Sequence, residues 1–592
     1  MRPSVEELED ALHIPQPDSA QLRLEDSRRL TGPGLMWDKS GAIAEVVVHG
    51  FPLATVTQVW SRQARSILDA VGWVQELHTA RPHENGLNLA ISAPVDQLYS
   101  AIFVVQAAWH YTACELLGLP SEPLPQMVTA ITGVMHSEAN AGLIKLQQAA
   151  AAHGVDFISD DDDVSLGHGC GSQTWSVNAL PRPEQINWAQ LHDIPVAMIT
   201  GTNGKSTCVR LAAAVARAAN KVAGITSTDF VRVGDDILDE GDYSGPGGAR
   251  MLLRDKRTEV AFLEVARGGI LRRGLALHQA QAALVTNVAE DHLGQYGINT
   301  VQALTEAKFS VFRTLAQGGV LVLNADDEGL VKHADKLALE VAENGKTICW
   351  YSLDKNHSCI SKALASGLPC GWLEDGDLWF FDGRLSQAVM PAADMPITMG
   401  GAAVYNIHNA LAVMCLCLTF GLSLDHVREG FTGFHSSPED NPGRCNEFVV
   451  NDARLFVDFA HNPHSVAAVA ATMKMLPAQH RILMLGHAGD RSDAEIRGLT
   501  EGAFDLSPDH VIIAELPDYL RGRGSGEVSA VIRDHCLHLG LTPAQLSLCE
   551  NPIAGTQRAL ELIQPGDLAL LLVLSDRPAV ITLLEEQSRA SR

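Results

Sequence analysis

The sequence is short of positive charge: Lys and Arg number 44 against 70 Asp and Glu, for a formal net charge of −26. That deficit argues against a nucleic-acid partner, because a phosphate backbone is bound by a net basic face. A triphosphate can still bind, since its charge is met locally. Cysteine pairs are lacking too. The 11 cysteines are scattered without a CxxC spacing, the nearest approach being Cys415-Leu416-Cys417 on a helical pattern. They read as reduced core residues of a cytoplasmic protein rather than as metal ligands. Long apolar runs are absent as well. The most apolar window, Leu98 to Trp109, is too short to span a bilayer and contains Gln106, and the acidic start MRPSVEELEDALHI has no apolar signal core. No membrane partner and no secretion are expected.

What is present is enough apolar material for several cores. At 592 residues, 46% of them hydrophobic and 19% charged, the chain implies about three or four domains. The most informative stretch is Val196 to Thr207, VAMITGTNGKST. A β-branched apolar run ends in Gly201-Thr202-Asn203-Gly204-Lys205-Ser206-Thr207, and an Ala-rich helical pattern follows. Strand, glycine loop and helix make a phosphate cradle: backbone N–H groups turn inward on an anion, Lys205 reaches the outer phosphates and Ser206 offers a hydroxyl to Mg²⁺. The first glycine of the usual triphosphate loop is replaced by Ile199. The alternative is an ordinary strand-to-helix turn rich in small residues.

Residues 1–165 read as an N-terminal α/β module with a Gly-Pro-Gly turn at Gly32 to Gly34, a strand over Ala42 to Val48, and helical patterns over Val59 to His78 and Gln97 to Leu117. A polar, Pro-containing segment, Arg81 to Pro94, separates the helices. Arg28 and Arg29 are either solvated or bind an anion. Four adjacent aspartates, Asp160 to Asp163, read as a solvated turn in preference to a cation site. Residues 166–190 read as a linker. From 191 to 435, short apolar runs without alternation recur between helical stretches, as in a parallel sheet covered on both faces. Residues 436–592 repeat that rhythm.

Ligands on such sheets sit beyond the carboxyl ends of the strands. Standing there are the glycine loop, Glu264 in FLEVARGGILRRGL, and Asn287 and His292 in TNVAEDHLG. Glu264 and His292 together suit a divalent metal. Singly, an acid at a strand end is an N-cap and a lone His a surface residue.

These motifs, with Asn406-Ile-His-Asn409-Ala, Pro-Gly-Arg444 and Asp458-Phe-Ala-His461-Asn-Pro in this order, resemble the Mur ligases, which join a carboxylate to an amine using ATP. SGPGGAR (Ser244 to Arg250), EVARGGILRRGL, NADD (Asn324 to Asp327) and GDRSD (Gly489 to Asp493) look most like the Mur-type half of the cyanophycin synthetases. That family also carries an ATP-grasp domain, for which this chain has no room. The resemblance implies a central ATP-binding domain over 191–435, a Rossmann-like C-terminal domain over 436–592, and ATP and Mg²⁺ as cofactors. It implies that Lys205 holds the outer phosphates, Ser206 and Glu264 a first Mg²⁺, and His292 a second. Lys308 falls where many relatives have a carbamylated lysine. Asn409 is expected near adenine, Arg444 across the cleft on the phosphates, and Asp458 and His461 near ribose and phosphates. Tyr405 stands where several relatives have His.

The activity so implied is ATP-dependent acid–amino-acid ligation through an acyl phosphate, with an amino acid and a peptide or aspartyl polymer as substrates and a homo-oligomer as the assembly. Glutamate ligation to a folate, and a catalytically silent partner of a synthetase, are the alternatives.

Overall fold

The computed structural model describes residues 3–591. The glycine loop lies at the centre of an 11-stranded sheet ordered Asp236–Glu240, Phe230–Val233, Ala223–Thr226, Val260–Glu264, Val196–Thr200, Ala280–Val285, Leu315–Asn324, Thr347–Ser352, Cys370–Glu374, Asp377–Phe381, Ser386–Pro391. From Ala223–Thr226 to Cys370–Glu374 the pairing is parallel, with antiparallel hairpin strands at both edges. Alternate residues of Val196–Thr200 enter two separate cores. Ala197 and Ile199 pack with the helices Lys205–Ala218 and Val404–Thr419, and Val196 and Met198 pack on the opposite face. Both faces are therefore dry, which explains the unbroken apolar run.

A second, six-stranded sheet runs Asn446–Val450, Ala453–Asp458, Leu568–Leu572, Arg481–Leu485, His510–Ala514, Leu546–Cys549. Only its first pair is antiparallel, and it too has a core on each face.

The N-terminal module is an antiparallel sheet ordered Leu22–Leu30, Gly41–Val48, Gly86–Ser92, His78–His83, with Leu53–Ala70 and Leu98–Leu117 packed in its core. Two expectations fail here. The helix expected over Val59 to His78 ends at Ala70, and the segment expected to be a polar separator, Arg81 to Pro94, holds the fully buried strand Gly86–Ser92. Its Asn88 and Ser92 are buried, so polarity concealed a core position. The expected linker at 166–190 begins inside a small sheet of Phe157–Ser159, Asp163–Leu166 and Gln173–Ser176. Asp160 to Asp163 form its turn, with the Asp160 carboxylate accepting from the Asp162 and Asp163 N–H groups. Among the cysteines, nine are buried, but Cys170 is exposed and Cys549 half-buried, against the reading of all as core. No helix among the described residues is long and apolar enough to cross a membrane.

Candidate active site

The glycine loop is shaped by what presses on it. A Cβ on Gly201 would lie 1.9 Å from Thr286 Oγ1, and one on Gly204, whose φ is +86°, would lie 2.3 Å from Asn409 Oδ1. Only glycine fits between these neighbours. Asn287 clamps the loop further. Its Oδ1 accepts from the Asn203 N–H at 3.0 Å, and its Nδ2 donates to the Asn203 carbonyl at 3.2 Å. The helix Lys205–Ala218 starts directly after Gly204, so its first N–H groups face the opening. Lys205 Nζ is parked on the Thr202 carbonyl at 2.9 Å.

A cavity of about 630 Å³ opens from this loop towards the C-terminal domain. Its lining includes Asn203 to Thr207, Glu264, Asn287, Asn409, Arg444, Asp458 and His461. Of the residues expected to gather, Gly201, His292 and Lys308 lie outside that lining, although Lys308 Nζ donates to the Gly201 carbonyl at 2.8 Å.

Glu264 is 2% exposed, and neither carboxylate oxygen completes a hydrogen bond. Burial raises its pKa, against the opposing pull of Lys205, the nearby Ser206 hydroxyl, Arg210 and Arg444. A buried carboxylate without partners is costly unless a cation or donor completes it. The Glu264 carboxylate and the Ser206 hydroxyl are oxygen donors of the kind a hard divalent ion such as Mg²⁺ takes. Lys308 is buried, and burial followed by the charge of Lys205 pushes its amine well below the ordinary lysine range.

A second cluster stands where the two large domains meet. Asp291, His292 and His461 each bring a ligating atom within 4.8 Å of the others. Burial first, then Arg491, Arg267 and His461, push the imidazole of His292 down to about 4, with Asp291 opposing. Burial likewise lowers His461, whose Nδ1 lies 3.0 Å from the Phe459 carbonyl. Burial alone would raise the Asp291 carboxyl, but His292, His461 and Arg491 hold it down. Arg491 Nη2 donates to Asp291 at 3.4 Å and to His292 Nδ1 at 3.1 Å.

The domains touch across the loop. Arg444 Nη2 donates to Ser206 Oγ at 3.4 Å, Asn462 Nδ2 to Asn203 Oδ1 at 2.9 Å, and Asn203 Nδ2 to His464 Nδ1 at 3.1 Å. Asp229 is gripped by Arg210 from its own domain and by Arg577 from the other. Burial alone would raise the Asp229 carboxyl, but Arg210, Arg444 and Arg577 hold it down at about 2. Asp458 is tied within its own domain by the Cys445 and Ala460 N–H groups at 2.8 and 2.7 Å. Sequence reading gave no role to Asp291, Asn462, His464 or Arg577. The first two stood inside motifs it quoted, whereas nothing local marks Arg577 as a partner of Asp229.

A glycine loop at the switch between parallel strands, an orphaned acid beside it and a second α/β domain closing over both define a nucleotide-dependent enzyme class. Residues 199–417 match the Mur ligase middle domain, and residues 443–572 match the family described as Mur ligase, glutamate ligase domain. The chain belongs to the Mur ligase superfamily. It is 37% identical over 399 residues to a cyanophycin synthetase of Geminocystis herdmanii, covering 67% of this chain and 43% of that protein. To the cyanophycin synthetase of Trichormus variabilis it is 36% identical over 339 residues, covering 57% and 37%. The chain thus spans about two fifths of the length of these curated relatives. A solved structure of Escherichia coli FolC in complex with DHPP and ADP is 18% identical, covering 67% of this chain and 89% of that one, with a TM-score of 0.49.

Proposed function

We propose that the protein is an ATP-dependent carboxylate–amine ligase that works through an acyl phosphate and joins an amino acid to a peptide or aspartyl-polymer acceptor. The observation that carries this reading is the buried, unpartnered Glu264 carboxylate beside Lys205 and Ser206, with Arg444 reaching the same point from the other domain.

A carboxylate is a poor electrophile, so it is first activated by the γ-phosphoryl group of ATP with loss of ADP. The amine then attacks the acyl carbon and phosphate leaves. Lys205 leaves the Thr202 carbonyl for the outer phosphates, and the loop N–H groups hold the inner ones. Arg444 adds charge from the opposite side as the phosphoryl group moves. Ser206 with Glu264, and His292 with Asp291 and His461, are the residues that would hold magnesium. Bound there, magnesium offsets charge on the phosphates. Asn409 and Asp458, both in the cavity lining, are assigned to the adenine and the ribose. Closure of the C-terminal domain excludes water from the acyl phosphate.

Lys308 is set up for carbamylation. Burial disfavours its ammonium form, and a neutral amine adds to carbon dioxide with loss of one proton, giving a carbamate whose oxygens would help to hold a metal at His292. A carbamate carbon signal after exposure to ¹³C-bicarbonate, absent in Lys308→Met, is the expected result.

The test of the whole reading is amine-dependent ADP formation across a panel of amino acids and β-aspartyl peptides, with mass spectrometry of the product. One amine–acceptor pair should give a product heavier by the amine less water. ADP formation at background for every pair would sink it.

A further inference from the structure

Arg28 is neither solvated nor free to bind an anion. It is 8% exposed, and its guanidinium is neutralised by Asp26 at 2.6 Å and Glu45 at 2.5 Å. No charge is left over for an anion. Its remaining capacity is spent on another domain. Nε and Nη2 donate to the Leu271 carbonyl at 3.3 and 2.9 Å, and the guanidinium carbon lies 4.9 Å from the centre of the Tyr296 ring.

Those two contacts fall on the two loops that matter most. Leu271 lies near the end of the short helix Arg267–Arg272, which follows Glu264 almost directly. Tyr296 lies four residues beyond His292. At its other end the same helix grips the second loop, Arg267 donating to the His292 carbonyl at 2.6 Å and to Gln295 Oε1 at 2.8 Å. The helix is therefore a strut with an arginine joint at each end.

The joint at Arg28 is backed by the closest interdomain approach in this region. Thr31 N–H donates to the Arg273 carbonyl at 2.7 Å, and Leu275 N–H to the Pro33 carbonyl at 2.6 Å. A Cβ on Gly32 would lie 2.1 Å from the Leu275 carbonyl oxygen, and one on Gly274, at φ +84°, would lie 2.4 Å from the Gly32 carbonyl oxygen. The Gly-Pro-Gly turn read from the sequence is thus a docking surface for the loop after Glu264. Asn88 Nδ2 extends the contact to the Tyr296 carbonyl at 3.2 Å.

We infer that Arg28 is a positioning residue: from the N-terminal sheet it fixes the two loops that carry Glu264 and His292, so that a residue remote from both sets the geometry of the metal-holding groups. The inference rests on the reading of Glu264 and His292 as metal-holding residues. It assigns the N-terminal module a role in the reaction without a substrate contact.

The test uses the full chain with Arg28→Met, which keeps the stem and removes the donors, and Arg28→Lys, which keeps the charge against Asp26 and Glu45 but not the planar fork. Arg62→Met, on an exposed face of the same module, is the control. Amide hydrogen exchange is read over 266–275 and 286–299, and Mn²⁺ binding is read by electron paramagnetic resonance with a non-hydrolysable ATP analogue. Arg28→Met should exchange about tenfold faster in both loops and bind Mn²⁺ about tenfold more weakly, with Arg28→Lys between it and the unchanged control. Unchanged loop exchange in both Arg28 variants would overturn the inference. Faster exchange with unchanged Mn²⁺ affinity would overturn it too, leaving Arg28 a purely structural residue. Neither reading needs turnover, so a protein that forms no ADP with any amine fails the proposed function while the exchange result still decides this one.

Discussion

The two large sheets present the same kind of edge, polar clusters beyond the ends of buried parallel strands, yet the clusters differ in how they are satisfied. At the C-terminal edge, Asp458 takes two backbone N–H groups, and Arg523 donates to the Gly489 and Arg491 carbonyls and to Asp493. At the central edge, Glu264 is buried with both oxygens unpartnered, and Lys205 and Lys308 each make a single bond to a carbonyl of the glycine loop. Satisfied polar groups hold a loop in shape, whereas unsatisfied buried ones are completed by something else. On the proposed function, the difference separates the edge that receives the ligand from the edge that closes over it. Arg577, whose Nη1 is buried without a partner, is the exception on the closing side.

The sharpest way to break this comparison is to cut both edges. Lys205→Met should lower the rate of ADP formation by about 10²–10³-fold, whereas Arg521→Gln, which loses an exposed pair with Asp490 and a contact with the Tyr519 ring, should leave it within about twofold. Steady-state kinetics on both variants check this, and equal losses would erase the distinction.

Glu264→Gln should come next, costing about 10²-fold in rate while raising the melting temperature of the metal-free protein. The sign follows from its raised carboxyl pKa. Between the unfolded and folded values the native state binds the extra proton, so stability falls as pH rises above the ordinary glutamate range. Thermal melts across pH in a chelator should show that fall in the parent and lose it in Glu264→Gln.

The Asp229–Arg577 pair tests the exception. A double-mutant cycle with Asp229→Asn and Arg577→Met, read as ATP affinity, should give a coupling of about 0.5–3 kcal/mol. A coupling near zero would mean that Arg577 plays no part in closure. The smallest effect is expected at Tyr405, whose hydroxyl lies 3.0 Å from Cys445 Sγ. Tyr405→Phe should cost about 0.5–1.5 kcal/mol in urea unfolding and leave ADP formation unchanged.

Much of this edge was legible in the sequence because strand, glycine loop and helix are adjacent in the chain, and buried parallel strands announce themselves as unbroken apolar runs. The N-terminal module was less legible. Its strand Gly86–Ser92 carries Asn88 and Ser92 into the interior, where Ser92 Oγ accepts from the Leu77 N–H at 2.8 Å and Asn88 reaches Tyr296. A polar side chain satisfied at long range looks, one residue at a time, like a loop.

The order of motifs from Gly201 to Arg444 and the alternation of strand and helix were properties of the sequence alone, because each is written in neighbouring residues. Which groups remain without partners was decided only in three dimensions. Glu264 is orphaned, Lys308 buried, and Arg28 spent on Leu271 because segments hundreds of residues apart pack together. Solvation and charge balance depend on those neighbours and not on the chain positions beside them.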